Sequence, residues 1–200
     1  MATTATPRLV TRADFSAKMK PQELEVFDLA THESAHAIRG LLLGGEIDRA
    51  AVYSGRVTPT HGTTRFRRAF DRDSIPPVAH AGPWAQARWI AGDRPTPGQV
   101  DSVLAAGGCH DHDQMLHAYA ASGGVTRVDH AAEDKLLERC WPSVLSLAAR
   151  MFQKVEIDHL DVLAALGLDR DSSAFGLASI RSGSAPGSFS ISGVERLTRF

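Results

Sequence analysis

Cysteine is scarce: Cys109 and Cys140 are the only two, and no C-x-x-C pair is present. That excludes a disulfide framework, a thiolate zinc ribbon and a dithiol redox motif. Two reduced thiols in a cytoplasmic protein are the expectation. An excess of one charge is also lacking. The 22 basic residues stand against 23 acidic ones, for a net charge of −1. Neither nucleic acid nor an anionic membrane is therefore expected as a partner held by bulk electrostatics. Long apolar runs are missing too. Leu41-Leu42-Leu43 stops at Gly44-Gly45, far short of the ~18 apolar residues of a membrane span. The first twenty residues hold no apolar signal-peptide core, so a soluble, cytoplasmic location is expected. There is no phosphate loop of the form G-x-x-x-x-G-K-[ST] and no internal repeat.

What remains suffices for one domain. With 43% apolar residues in 200, the chain can bury a core. The segment 1–20 is Thr/Ala-rich and aperiodic, and reads as a flexible arm. A domain over 21–170 follows, and the Ser/Gly-rich stretch 171–200 reads as a flexible tail. Within the domain, Pro21 opens a helix whose apolar stripe is Leu24, Phe27, Ala35, Ile38 and Leu42, with Gly44-Gly45 as its stop. Alternation over 47–57 and 63–70 predicts two short strands, with turns at Ser54-Gly55 and His61-Gly62. Arg65, Arg67 and Arg68 are expected on an exposed strand face, with a role in gripping substrate the alternative. Further helices are expected over 81–92 (opened by Pro83), 97–106, from Cys109 onward, and over 126–153, where Pro142 should kink or restart the chain. Asp158 caps a last helix that Gly167 closes. The fold class is α+β and mostly helical, with a small sheet or hairpin.

The first helix carries His32-Glu33-Ser34-Ala35-His36, the pattern H-E-x-x-H. Four residues apart on a helix, His32 and His36 project from one face and their imidazoles can converge on one ion. Zinc takes imidazole nitrogen readily, and a catalytic zinc has three protein ligands and a water. Glu33, beside the first ligand, is placed to act as general base on that water. Zinc is thus the expected cofactor and Glu33 the expected catalytic residue. The third ligand lies outside the motif. No histidine stands where H-E-x-x-H-x-x-G-x-x-H would require it. The dense cluster of potential ligands is Cys109-His110-Asp111-His112-Asp113, with His117 beyond it.

Four segments, in order, resemble the protease domain of FtsH-type metalloproteases, including the mitochondrial i-AAA relatives. THESAHAIRG is similar to that family's H-E-A-G-H-A helix, and IDRAAVYSGRVTPTHGTTRF to the strand pair after it. AHAGPWAQARWIAG is similar to its A-G-R-A-A-E helix. GGCHDHDQMLHAYA is similar to its G-A-S-x-D segment, whose aspartate is the third zinc ligand. The resemblance covers about residues 22–167 in pieces, and H-E-x-x-H is its one highly specific motif. It implies that His32, His36 and Asp111 hold zinc, with Asp113 the alternative to Asp111, and that Glu33 is the base. It implies a peptide or unfolded protein segment as substrate. The chain departs from the family at Ser34-Ala35, at Gln86 (a glutamate in the family) and at Met115-Leu116. No ATPase module or membrane anchor is seen, so an ATP-independent peptidase is expected, and a homo-oligomer or a separate unfoldase partner stays open. Two other readings stand beside it: a catalytically silent metal-binding or regulatory module of the same fold, and a hydrolase of non-peptide amides. Of the remaining residues, His110 and His112 are candidates to line the cleft. Cys109 is expected to be packed, His61, His80, His117, His130 and His159 to be surface or locally capped, and Trp84, Trp89 and Trp141 to lie in the core or between helices.

Overall fold

A computed structural model describes residues 10–54 and 59–188. The chain is α+β and mostly helical. Its elements are α1 (Arg12–Ser16), α2 (Pro21–Leu42), β1 (Ile47–Tyr53), β2 (His61–Phe66), a 3-10 turn at Arg72–Ser74, α3 (Ile75–Ala91), α4 (Pro97–Ala106), α5 (Cys109–Ala121), α6 (His130–Lys154), β3 (Glu156–Ile157), α7 (His159–Ala165) and α8 (Ser173–Arg181). The three strands form one antiparallel sheet in the order β2-β1-β3. Among the described residues no helix is long and apolar enough to cross a membrane.

The helix α2 is the axis. Pro21 stands at its first turn, and Glu23 accepts the Lys20 amide at 2.7 Å. An amphipathic helix would leave one face in water. Instead every residue from 30 to 42 is buried, because α3, α6 and the β1–β2 pair pack around it. Small side chains permit this: Ala30, Ala35 and Ala37 are fully enclosed, and at Gly40 a Cβ would collide with the Phe66 ring. Ile38, Leu42, Trp84, Trp89, Trp141, Leu147 and Met151 fill the core around it. The tryptophans are core residues, as expected.

Enclosure makes the polar residues of α2 expensive unless partnered. Thr31 Oγ1 returns to the Phe27 carbonyl at 2.9 Å. Arg39 donates to both carboxylate oxygens of Glu133 on α6, at 2.5 and 2.6 Å. Arg88 of α3 grips Glu138 of α6 in the same two-pronged way and lies 5.0 Å over the Trp141 ring. The core is thus bolted across α2, α3 and α6 by guanidinium–carboxylate forks, which fix orientation as well as distance.

Several local expectations give way to tertiary context. α3 begins at Ile75, not at Pro83: Pro76 and Pro77 occupy its first turn, and Pro83 lies inside it. There Pro83 forgoes one helical hydrogen bond, a cost that burial of Trp84 and Trp89 offsets. α6 likewise runs through Pro142 without restarting. His61-Gly62 is not a turn but the start of β2, opposite Tyr53 and Val52, and β2 ends at Phe66. Gly55, in the other expected turn, lies outside the described residues. Asp158 does cap α7, accepting from the Leu160 and Asp161 amides, and Gly167 follows with φ 72°.

Neither end of the domain is where composition put it. Arg12 reaches Asp28 with three hydrogen bonds of 2.9–3.1 Å, and Phe15 stacks on Phe27 at 5.6 Å. Asp28 also accepts from the Trp89 indole at 2.9 Å. The arm is therefore clasped from Arg12 onward. The expected tail forms α8, with Ile180 fully buried and Arg181 donating to the Leu42 carbonyl at the end of α2 at 2.9 Å. The half-buried Arg12–Asp28 clasp at one end and the buried Ile180 at the other outweigh a polar, small-residue composition. Residues 1–9 and 189–200 lie outside the described residues.

Removing one partner of the Arg39–Glu133 fork should destabilise strongly. Arg39→Ala leaves an unpaired buried carboxylate and should cost about 3–5 kcal/mol in urea unfolding. Arg39→Met combined with Glu133→Leu should recover most of that loss.

Candidate metal centre

His32 and His36 sit one above the other on α2, and their Nε2 atoms are 2.9 Å apart. Asp111 comes from the first turn of α5. Its Oδ2 lies 3.0 Å from His32 Nε2 and its Oδ1 3.3 Å from His36 Nε2. All three side chains are buried, and one ligand atom from each lies within 4.8 Å of the others. Asp113, two residues on, is exposed. Two helical positions are about 200° apart around the axis, so α5 can turn only one of the two aspartates inward.

The far side of each imidazole is fixed by a carbonyl. His36 Nδ1 is 2.7 Å from the Val78 backbone oxygen, and His32 Nδ1 is 3.0 Å from Gln86 Oε1. A backbone carbonyl can only accept, so His36 carries its proton on Nδ1 and turns a lone pair from Nε2 toward the centre. Gln86 plays the same part for His32. Such outer partners set tautomer and ring direction in metal-binding histidines. The outcome is two imidazole lone pairs and a carboxylate facing one point, with Glu33 beside them. A group of acceptors with this much negative charge fits a cation, and two nitrogens with one carboxylate oxygen fit zinc.

With the side chains alone, the cation is a proton. Burial disfavours a charged His36, but the Asp111 charge and hydrogen bond, the Glu33 charge and the Val78 carbonyl outweigh it and raise His36 to about 9. Asp111 is shifted oppositely. Burial favours its neutral form, yet His36 and His32 hold it ionised, well below the usual carboxylate range. A metal and a proton therefore compete for the same nitrogen.

Two glycines make the convergence possible. At Gly82 on α3 a Cβ would strike Nε2 of both His32 and His36. At Gly62 on β2 it would strike the Glu33 carboxylate. Only a bare backbone can approach this closely. Beside Gly62, Thr64 Oγ1 lies 2.6 Å from Glu33 Oε2 and holds that carboxylate toward the centre.

The centre opens into a cleft of about 610 Å³ between α2, β2, α3 and α5. Glu33, His61, Thr63, Gln86, His110 and Gln114 are among its walls. His110 lines the cleft, while His112 is exposed and not among its lining residues. Cys109 is exposed rather than packed. His80, expected to be at the surface or locally capped, is buried. A larger groove of about 720 Å³ past Phe15, Phe27, Trp89 and Phe152 is apolar and contains none of these histidines.

His32, Glu33, His36 and Asp111, the candidates legible in the sequence, are brought together here. In the sequence Gln86 stands out only as a departure from the family and Gly62 only as part of a turn, and no motif marks Gly82, Val78 or Thr64. A glycine inside a helix, as at Gly82, is the one local sign of close approach among these.

No family model matches the chain, and no curated protein matches it.

Gly82→Ala should lose metal uptake while α3 remains helical, read by metal analysis beside circular dichroism. Gln86→Ala should weaken uptake about 10–100-fold, because His32 loses its orienting partner. The His36 value of about 9 sets a pH dependence. At pH 7 uptake must displace that proton, so about one proton is released per ion, and affinity falls roughly tenfold per unit below 9 and levels off above it. Titration calorimetry in buffers of different ionisation enthalpy measures this.

Proposed function

We propose that this protein is a zinc-dependent endopeptidase acting on peptides or unfolded protein segments without needing ATP for the cleavage itself. One observation carries the reading: two outward-fixed imidazoles and one inward-turned aspartate converge beside a threonine-held glutamate, at the floor of an open cleft. His32, His36 and Asp111 would hold the ion. Bound zinc would supply Lewis acidity, polarising a carbonyl and acidifying a water. Glu33 then does the proton work: it takes the proton from the attacking water and hands it to the departing amine nitrogen. Thr64 keeps Glu33 aimed. β2 is the outer strand of the sheet, and its edge beside Glu33, unpaired among the described residues, suits an extended peptide laid alongside by strand addition. The likeness to the FtsH-type protease domain, drawn from motif order, supports the same reading.

The tests separate chemistry from binding. Glu33→Gln should keep zinc and lose cleavage of an unfolded substrate such as reduced, carboxymethylated lactalbumin by at least ~100-fold, the order expected for losing a general base. Full activity in that variant would sink the mechanism. Asp111→Ala should lose zinc, while Asp113→Ala should keep both zinc and activity. Zinc retained in wild type with no cleavage of any unfolded protein would instead favour the silent metal-binding module.

A further inference from the structure

α3 has a histidine cluster on each side. Val78 and Gly82 meet His36 and His32 of α2. His80, between them in sequence, turns toward α6 and is 2% exposed. Its Nε2 lies 3.2 Å from Asp134 Oδ1. Its ring packs edge-on against His130, with centroids 4.7 Å apart. His130 and Asp134 are four residues apart on α6 and so share a face. One nitrogen of each histidine and a carboxylate oxygen of Asp134 all lie within 4.8 Å of one another.

We infer that His80, His130 and Asp134 form a second divalent-metal site, suited to a borderline transition ion such as zinc, that ties α3 to the first turns of α6. Two imidazoles and a carboxylate are the donors such ions take, and softer or harder ions are disfavoured by the absence of thiolate and by the two nitrogens. The donors come from two helices, so an ion here is a cross-link. A simple ion pair accounts for His80 against Asp134. It leaves the second imidazole, His130, unexplained at the same carboxylate, whereas a shared ion uses all three. Asp134 is already held ionised: burial opposes this, but the hydrogen bond and charge of His80, then Arg94 and Trp84, lower it below its usual range. The Arg94 guanidinium, 3.6 Å from Asp134 Oδ2, is more than half exposed and can swing away as an ion takes over its charge. His130 is exposed, so the site fills from solvent without opening the core. This site does not depend on what the α2 centre does.

The test is zinc stoichiometry on the full chain. Metal-stripped protein is loaded with zinc chloride, dialysed and analysed for metal per chain. Wild type should hold two ions, His130→Ala one, His32→Ala one and the double variant none. In the His32→Ala background zinc should raise the melting temperature, and adding Asp134→Asn should remove that rise. Cobalt loaded into His32→Ala should give an absorption band that His130→Ala abolishes. If His130→Ala holds as much zinc as wild type, or His32→Ala holds none, the second site is overturned. A wild type with one ion, kept in His32→Ala and lost in His130→Ala, would uphold this site and overturn the α2 centre instead. His130 is exposed and Asp134→Asn preserves shape, so both variants should fold, which circular dichroism checks.

Discussion

The burial of α2 on all sides is the constraint from which the rest follows. A helix enclosed from residue 30 to residue 42 carries Thr31, His32, Glu33, His36 and Arg39 into a medium where unpartnered polar groups cost several kcal/mol each. Thr31 turns back to the Phe27 carbonyl of its own helix and Ser34 Oγ has no partner among the described residues, but the four charged or imidazole side chains find theirs on neighbouring elements. Arg39 finds Glu133 on α6, His36 finds the Val78 carbonyl and His32 finds Gln86 on α3, and Glu33 finds Thr64 on β2. The bonds that make the helix tolerable inside the core are the ones that aim the side chains of the centre. Stability and site geometry are one set of interactions here.

Enclosure of that kind is possible only where the neighbours are thin. Gly40 admits Phe66, Gly62 admits the Glu33 carboxylate and Gly82 admits both imidazoles. Backbone thus forms two walls of the centre, and β2, which has no strand on its outer edge among the described residues, is brought against Glu33. The cleft beside it is lined both by polar groups and by Phe66, Phe70, Ile75 and Val78. That mixture suits an extended chain held through its backbone more than a small apolar ligand.

α3 deserves its central place for a second reason. One face orients His32 and His36 while the other presents His80 to α6. The Arg88–Glu138 fork and the His80–Asp134 contact hold α3 against α6 at two points along its length. Whatever stiffens that contact also stiffens the wall carrying Val78, Gly82 and Gln86.

The sequence by itself determined what depends on spacing along one element. Helical periodicity put His32 and His36 on one face with Glu33 beside them, and local stop and cap signals marked α2 and α7. Motif order pointed to Asp111, but only the rotation of α5 against α2 put it, and not Asp113, beside His32 and His36, because residues two apart on a helix face nearly opposite ways. The tertiary structure alone decided that α3 starts at Ile75 and tolerates Pro83, that Arg12 and Ile180 pin segments of loop-like composition, and that Gly62, Gly82, Gln86 and Thr64 surround the centre. Those outcomes rest on contacts between residues distant in the chain. Local propensity is worth tenths of a kcal/mol per residue, while a buried side chain or a satisfied buried charge is worth several times more, so where the two conflict the distant contact prevails.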